Sequence, residues 1–180
     1  DLAFCYAMGS EAGKVVGCDF SGEMVRLGRV KEERLRKKGK LGQVEFEWLT
    51  GDCTATGLSD ESFDIISCGF GVRNMADLDA GIRELHRLLK KGGRVCILEF
   101  SLPECPVLRP IYLFYLRHIL PLFGGILTGK ISANRYFADS IVEWDRDVDL
   151  EKSLETAGFS KVAVKPLSKG IASIYVFKKN

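Results

Sequence analysis

The sequence predicts an α/β fold with a doubly wound, mostly parallel sheet and a C-terminal antiparallel hairpin. Strand-like and helix-like segments alternate through most of the 180 residues, which is typical of parallel strands connected by helices. The last two strand segments have only a short turn between them, so they should pair as an antiparallel hairpin. The length fits one domain that spans residues 1–180.

The composition excludes some classes of function. Hydrophobic residues make up 46% of the chain and charged residues 28%, with a net charge of +2. A core can therefore form, and nucleic-acid binding is not indicated. None of the six cysteines has the Cys-x-x-Cys spacing of a metal or redox site, and the two histidines do not form a ligand pair. We expect a reducing compartment and no metal.

The first part of the chain alternates helices and strands. The strand predicted over residues 14–19 is apolar and ends in an acid, and Ser21 can cap the helix after it. Val, Phe and Trp alternate with Glu over residues 44–49, which predicts a half-buried strand. The predicted order is a helix over 1–8, a strand over 14–19, a helix over 22–38, a strand over 44–49 and a polar loop over 54–62.

The alternation continues in the second part. Residues 65–68 form a short apolar run typical of a strand buried on both faces. Apolar residues recur at helical spacing over 77–91, and Gly92-Gly93 should end that helix. The other predicted elements are a strand over 94–100, an apolar segment over 107–127 broken by Pro110 and Pro121, a short connecting segment over 134–144, a helix over 150–157, and strands over 160–167 and 171–178.

Chemically distinctive residues come directly after the predicted strands. Asp19 and Asp52 lie at the ends of the first two strands, and Gly69, Arg73 and Asn74 come after the third. Ligands of open α/β sheets bind outside the carboxyl ends of the strands. There one acid could accept hydrogen bonds from ribose hydroxyls and the other from an adenine amino group. The alternatives are a helix cap at Asp19, an Asx turn at Asp52 and a solvated arginine at Arg73.

Three segments carry a family resemblance. They read Val-Val-Gly-Cys-Asp-Phe-Ser over 15–21, Phe-Gly-Val-Arg-Asn over 70–74 and Gly-Gly-Arg-Val-Cys-Ile-Leu-Glu-Phe-Ser over 92–101. Together they resemble the ubiquinone/menaquinone biosynthesis C-methyltransferase family, whose members are class I S-adenosylmethionine-dependent methyltransferases. The likeness covers nearly the whole chain and implies a seven-stranded, Rossmann-like methyltransferase sheet.

The resemblance also identifies what this chain lacks. The first strand of that sheet and the glycine-rich loop after it are absent, and Asp1-Leu2-Ala3 resembles the residues directly after that loop. In that fold the missing strand lies between the strand that ends at Asp19 and the strand that begins at Phe63. We therefore expect a gap in the sheet at this position and a chain that is N-terminally incomplete.

The resemblance implies methyl transfer from S-adenosylmethionine to a ring carbon of a polyprenylated quinol of the demethylmenaquinol or demethylubiquinol type. The residues that it assigns to the cofactor are Asp1, Asp19, Phe20, Asp52, Cys53 and Gly69. For this reaction we expect Arg73 and Asn74 to act in catalysis, and Arg73, Tyr112, Arg135 and Tyr136 to bind the substrate. The alternatives are a packed aromatic at Tyr136 and a surface charge at Arg135. Arg73 would either orient a water that takes the quinol proton or stabilise the phenolate; arginine keeps its own proton in proteins, which makes the second role simpler.

Residues 102–146 are expected to cover the substrate. Within this cover the segment 107–127 is apolar, but Arg109, Arg117 and His118 argue against a spanning helix. The segment is either an ordinary packed helix or a mobile apolar cover that receives the polyprenyl tail at a membrane surface. The second alternative predicts a peripheral membrane protein, either in the cytoplasm or in a mitochondrial or plastid matrix. As partners we expect the polyprenylated quinol, and either a second copy of the chain or a biosynthetic complex.

Two other functions stay open at this point. The first is a methyltransferase that acts on another small lipid, such as a sterol-like one. The second is a non-catalytic methyltransferase-like subunit that binds partners, which the missing glycine-rich loop favours. A panel of substrates would separate the first from quinol methylation, and a titration with S-adenosylmethionine would test the second.

Overall fold

A computed structural model describes residues 1–122 and 131–180, without the side chains of residues 131–133. The chain divides into two compact units, Asp1–Ser59 and Asp60–Asn180. Each unit contains its own sheet. The strand that ends at Asp19 and the strand that begins at Phe63 therefore belong to different sheets.

The first unit is a two-stranded parallel sheet with helices. Its elements are α1 (Leu2–Gly9), β1 (Lys14–Asp19), α2 (Gly22–Lys37) and β2 (Glu45–Thr50). In the parallel register Asp19 lies opposite Thr50, so both strands end at the same edge. The Ser21 side chain caps α2 by accepting a hydrogen bond from the Met24 amide at 3.3 Å, as predicted. Phe4, Ala7 and Leu41 form the buried core of this unit.

The second unit contains a four-stranded sheet of order β3-β4-β6-β5. β4 pairs parallel with β3 and antiparallel with β6, and β5 pairs antiparallel with β6. The predicted C-terminal hairpin is therefore confirmed. The elements are β3 (Phe63–Gly69), a 3-10 turn (Val72–Asn74), α3 (Leu78–Leu88), β4 (Leu89–Phe100), α4 (Leu108–Phe114), a π turn (Tyr115–Ile119), α5 (Ile131–Asp147), α6 (Leu150–Thr156), β5 (Phe159–Leu167) and β6 (Ala172–Lys179).

Two apolar clusters hold this second unit together. The larger packs α3 and α6 against the sheet, with Ile82, Val95, Ile97, Leu154 and Phe177 all at most 1% exposed. The smaller joins the α4 region to α5 through Leu102, Tyr112, Leu116, Ala138 and Ile141. The buried residues of the second cluster all lie within the segment 102–146, and Phe100 and Ile171 from outside the segment pack against them.

The predicted end of helix α3 is wrong. The helix stops at Leu88, and residues 89–91 begin strand β4 instead of completing the helix. The reason is long-range: Leu89 is fully buried opposite Phe63 of β3, and its carbonyl accepts a hydrogen bond from Lys179 Nζ at 2.8 Å. Gly92 therefore lies within the strand, with φ +78°, and does not end the helix.

The predicted connecting segment over 134–144 is also wrong. These residues belong to α5, a helix of 17 residues. Ala138, Ile141 and Trp144 recur every three residues and are all buried, which is the spacing of an inward helix face. Pro110 does not break α4 either, because it lies in the first turn, where its missing N–H removes no helical hydrogen bond.

In the described part of the chain, no helix is both long and apolar enough to cross a membrane. The charges and prolines of the segment 107–127 argue against a spanning helix in the sequence. Part of that segment, residues 123–130, lies outside the described residues.

Candidate active site

In each of the two acids predicted to bind adenosine, one carboxylate oxygen is hydrogen-bonded to a residue two positions later in the chain. Asp19 Oδ1 accepts a hydrogen bond from the Ser21 amide at 2.9 Å, and Asp52 Oδ1 accepts from the amide and the hydroxyl of Thr54, each at 2.8 Å. The Thr54 bonds hold the pKa of Asp52 below its usual range, the backbone amide contributing most. Within the described residues neither Oδ2 atom is hydrogen-bonded. The local role of each acid thus leaves one carboxylate oxygen for a ligand.

Two cysteines lie beside these acids. The Cys18 thiol has one proton and two acceptors near it: the Gly51 carbonyl, 4.0 Å from Sγ, and the sulfur of Cys53, whose pKa this hydrogen bond lowers. The carboxylates of Asp19 and Asp52 both act electrostatically on the two thiols. We call Cys18, Asp19, Asp52 and Cys53 the strand-end cluster. Its formation at the carboxyl ends of β1 and β2 agrees with the expectation from strand order.

We predict that Cys53 reacts unusually fast with an alkylating agent near neutral pH. The hydrogen bond from Cys18 lowers the pKa of Cys53 to about 7, against the opposing effects of burial and of the two acids. Burial raises the pKa of the Cys96 thiol. Iodoacetamide labelling and peptide mass spectrometry should show Cys53 modified before Cys96, with the rate rising through about pH 7.

The same labelling in denaturant is the control. There Cys53 should behave as an ordinary thiol with a pKa of about 8.5. Equal rates for Cys53 in the folded and denatured protein at pH 7 would contradict the Cys18–Cys53 hydrogen bond.

The other two cofactor candidates of this unit lie on its surface. The Phe20 residue is 81% exposed, next to Asp19, where its ring is free to contact a ligand. Asp1 forms an ion pair with Lys31 of α2, and its side chain is 85% exposed. Among the described contacts, no hydrogen bond or ion pair joins Asp1 to the strand-end cluster.

In the second unit, strand β3 ends in a sharp turn. Gly69 is the last strand residue, and the Phe70 amide continues the ladder by donating to the Leu98 carbonyl at 2.7 Å. Phe70 then adopts φ +56°, a left-handed conformation that non-glycine residues rarely take and that clusters at functional sites. The turn Val72–Asn74 comes next, anchored by Val72 at 1% exposed.

The turn directs Arg73 inward. Its side chain is only 6% exposed and its Nη1 lies 2.5 Å from Oε1 of Glu99, which is fully buried. Nε lies 3.3 Å from Ser140 Oγ. The guanidinium carbon is 5.1 Å from the centre of the Phe100 ring and 5.2 Å from that of Phe137. The alternative of a solvated arginine is therefore wrong.

The remaining predicted site residues differ in exposure. Asn74 is exposed, and its side-chain nitrogen donates to the Phe70 carbonyl at 3.4 Å. This bond connects the last residue of the turn to the residue directly after β3. Tyr112 is buried and stacks on Tyr115 with ring centres 6.2 Å apart; burial raises its pKa. Arg135 and Tyr136 are exposed residues of α5.

Sequence reasoning missed three residues that surround Arg73. They are Glu99 on β4 and Phe137 and Ser140 on α5. One signal could have found Glu99: Val95, Ile97 and Glu99 alternate along β4 and are all fully buried, so an acid occupies a core position of the strand. No comparable signal marks Ser140, because its contact depends on how α5 packs.

Known proteins resemble this chain over most of its length. The ubiE/COQ5 methyltransferase family model matches residues 1–179. A ubiquinone/menaquinone biosynthesis C-methyltransferase of Geobacter sp. (strain M21) is 40% identical over 166 residues, which cover 92% of this chain and 68% of the relative. A demethylmenaquinone methyltransferase of Alkalihalophilus pseudofirmus is 35% identical over 164 residues, which cover 91% of this chain and 67% of the relative.

A solved structure agrees with the fold class. A SAM-dependent methyltransferase of Methanosarcina mazei matches with a TM-score of 0.57 and 18% identity, covering 92% of this chain and 82% of that protein. At this identity the likeness concerns the fold alone. The predicted α/β fold of the Rossmann-like methyltransferase class is confirmed, with six strands in the described residues.

Proposed function

Because the chain belongs to the ubiE/COQ5 methyltransferase family, we propose that it transfers a methyl group from S-adenosylmethionine to a ring carbon of a polyprenylated quinol. The observation that carries this proposal is the setting of Arg73, a buried cation between aromatic rings at the end of β3. The ring centres of Phe70 and Phe100 are 4.3 Å apart, and Phe70 is 38% exposed. Phe100 in turn contacts the Arg73 guanidinium, and an exposed aromatic ring linked to a cation through a second ring suits a flat phenolic substrate.

The strand-end cluster fits an adenosine ligand. Asp19 and Asp52 each keep one carboxylate oxygen, which can accept from the ribose hydroxyls and from the adenine amino group respectively. The Cys53 amide can donate to a ring nitrogen. When bound, S-adenosylmethionine supplies a sulfonium methyl group that is already a strong electrophile.

The task left to the protein is to orient and activate the quinol ring. Holding two reactants in line can supply up to about 7–11 kcal/mol of the barrier. A quinol carbon becomes more nucleophilic when the neighbouring hydroxyl loses its proton, and a fixed N–H donor stabilises the resulting phenolate. Arg73 takes this role, because a guanidinium does not act as a base.

The direct test is methyl transfer measured with labelled S-adenosylmethionine. The panel contains a polyprenylated demethylnaphthoquinol, a polyprenylated demethylbenzoquinol and a sterol-like lipid. We expect label in one or both quinols. Label in the sterol-like lipid alone would support the rival small-lipid function, and cofactor binding without transfer to any acceptor would support the non-catalytic subunit.

Asp19→Ala should weaken S-adenosylmethionine binding at least tenfold, or about 1.4 kcal/mol, because the ribose loses its acceptor. The measurement is a calorimetric titration. Asp19→Asn serves as the matched variant, since its side-chain oxygen can still accept from the Ser21 amide while the charge is lost. Unchanged affinity in both variants would remove Asp19 from the binding site.

The helix region of the substrate cover has an exposed apolar face, which we propose contacts the membrane and receives the polyprenyl tail. Tyr112 and Leu116 point into the core. The exposed residues on the other side are Val107, Ile111, Phe114, Tyr115, Ile119 and Leu122. The same segment carries the exposed Arg117 and Arg109, which is ion-paired with Asp145 at 3.0 Å. Exposed apolar residues beside arginines suit a membrane surface. The protein would then be peripheral to the membrane.

Replacing Ile111 and Phe114 together by Ser should reduce turnover of long-tailed quinols more than that of short-tailed analogues. Both side chains are about 60% exposed, so the fold should tolerate the change. Val162→Ser on the exposed strand β5 is the control for loss of a surface apolar group. Equal losses on long and short substrates would mean that the face does not meet the tail.

A further inference from the structure

The Glu99 carboxylate has an unusual setting. It lies on the buried face of β4 and is fully buried, and a charge in that position needs bonded partners. Its Oε1 accepts from Arg73 Nη1 at 2.5 Å and from the Phe100 amide at 2.9 Å. Its Oε2 lies 3.4 Å from the Arg73 amide nitrogen. One carboxylate thus binds both the backbone and the side chain of the same arginine.

A serine hydroxyl and two phenylalanine rings also contact the Arg73 guanidinium. Ser140 of α5 accepts from Nε at 3.3 Å, and the Ser140 hydroxyl in turn donates to the Phe137 carbonyl at 2.8 Å. The rings of Phe100 and Phe137 both lie close to the guanidinium. In the described part of the chain no hydrogen bond uses Nη2. Every buried side-chain nitrogen or oxygen there has a partner, so Nη2 is not fully buried. Nη2 is therefore the nitrogen of this side chain that remains for a ligand.

We propose that Glu99 is a positioning residue, whose carboxylate holds the turn Val72–Asn74 and the Arg73 guanidinium so that Nη2 meets the quinol oxygen. The inference rests on the proposed quinol methylation and adds a residue to it. Because Glu99 neutralises Arg73, the pair carries no net charge. Arg73 then stabilises the quinol oxygen through a correctly directed Nη2–H group. The direction of this group depends on the length of the Glu99 side chain.

A merely structural ion pair would behave differently. Buried pairs contribute little net stability, since the cost of desolvation offsets the attraction. Their stability contribution is also independent of where the unused nitrogen points. A variant that keeps the charge but shortens the side chain therefore separates the two roles.

The experiment uses Glu99→Asp and Glu99→Gln in the full-length protein, with kcat, KM and thermal unfolding measured for each. Glu99→Asp keeps the charge but cannot reach the amide and Nη1 together, so kcat should fall about a hundredfold. KM for S-adenosylmethionine should stay within about twofold, because the strand-end cluster is untouched. A folded Asp variant with wild-type kcat would overturn the proposal.

The pH dependence of kcat in Glu99→Gln is the second measurement. If positioning dominates, the phenolate is less well stabilised and the profile moves to higher pH. If Glu99 acts only through its charge, removing it favours the phenolate and the profile moves to lower pH, which would overturn the proposal. Wild-type protein is assayed alongside: absence of transfer to any quinol there would reject the proposed function itself, not the role of Glu99.

Discussion

Arg73→Ala should lower the free energy of unfolding by about 3–5 kcal/mol, because it leaves a fully buried carboxylate without its cation. The substitution also removes the guanidinium between the Phe100 and Phe137 rings, so a cavity adds to the loss. Urea unfolding monitored by circular dichroism measures the change. A loss of activity in this variant therefore has two causes, destabilisation and the missing N–H donor.

Two further variants separate these causes. Arg83→Ala removes an exposed arginine of α3 and should change stability by less than about 0.5 kcal/mol. The double variant Arg73→Met/Glu99→Met replaces the pair by apolar side chains and should recover most of the stability, but not the turnover. If Arg73→Ala cost no more than Arg83→Ala, the ion pair would have no part in stability.

Gly17→Ala should cost about 1–3 kcal/mol or more through overpacking. A Cβ atom at Gly17 would lie 2.5 Å from Cζ3 of Trp48, well inside contact distance. The indole cannot move away freely, because its Nε1 donates to Glu32 at 2.7 Å and Phe46 stacks on it with ring centres 5.8 Å apart. Thermal unfolding should show a lower midpoint.

Gly9→Ala is the matched control, since nothing lies within 4 Å of a Cβ atom there. Gly28 also faces Trp48, at 2.6 Å, but Gly28→Ala should cost less. Alanine in a helix interior regains about 1 kcal/mol of helix propensity. A Gly17→Ala protein as stable as Gly9→Ala would show that the Trp48 ring has room to shift.

Local signals explain why so much of the fold was predictable. The Ser21 cap and the strand ending at Asp19 depend on neighbours a few residues apart. The short turn between the last strands leaves no length for a crossover helix, so their antiparallel pairing results from the chain itself. The helix over 134–144 was missed because its aromatic and charged residues hide the inward positions Ala138, Ile141 and Trp144.

The sequence by itself determined the alternation of helices and strands and the placement of Asp19 and Asp52 at one sheet edge. Strand direction alone brings those acids together, since parallel strands end on the same side. Only the tertiary structure decided that Arg73 is buried. Its partners Glu99 and Ser140 lie 26 and 67 residues away in the chain, and local pattern carries no information on contacts of that range. The position of α5 brings Ser140 and Phe137 to the Arg73 guanidinium, and among the described residues Nη2 of that group has no hydrogen-bond partner.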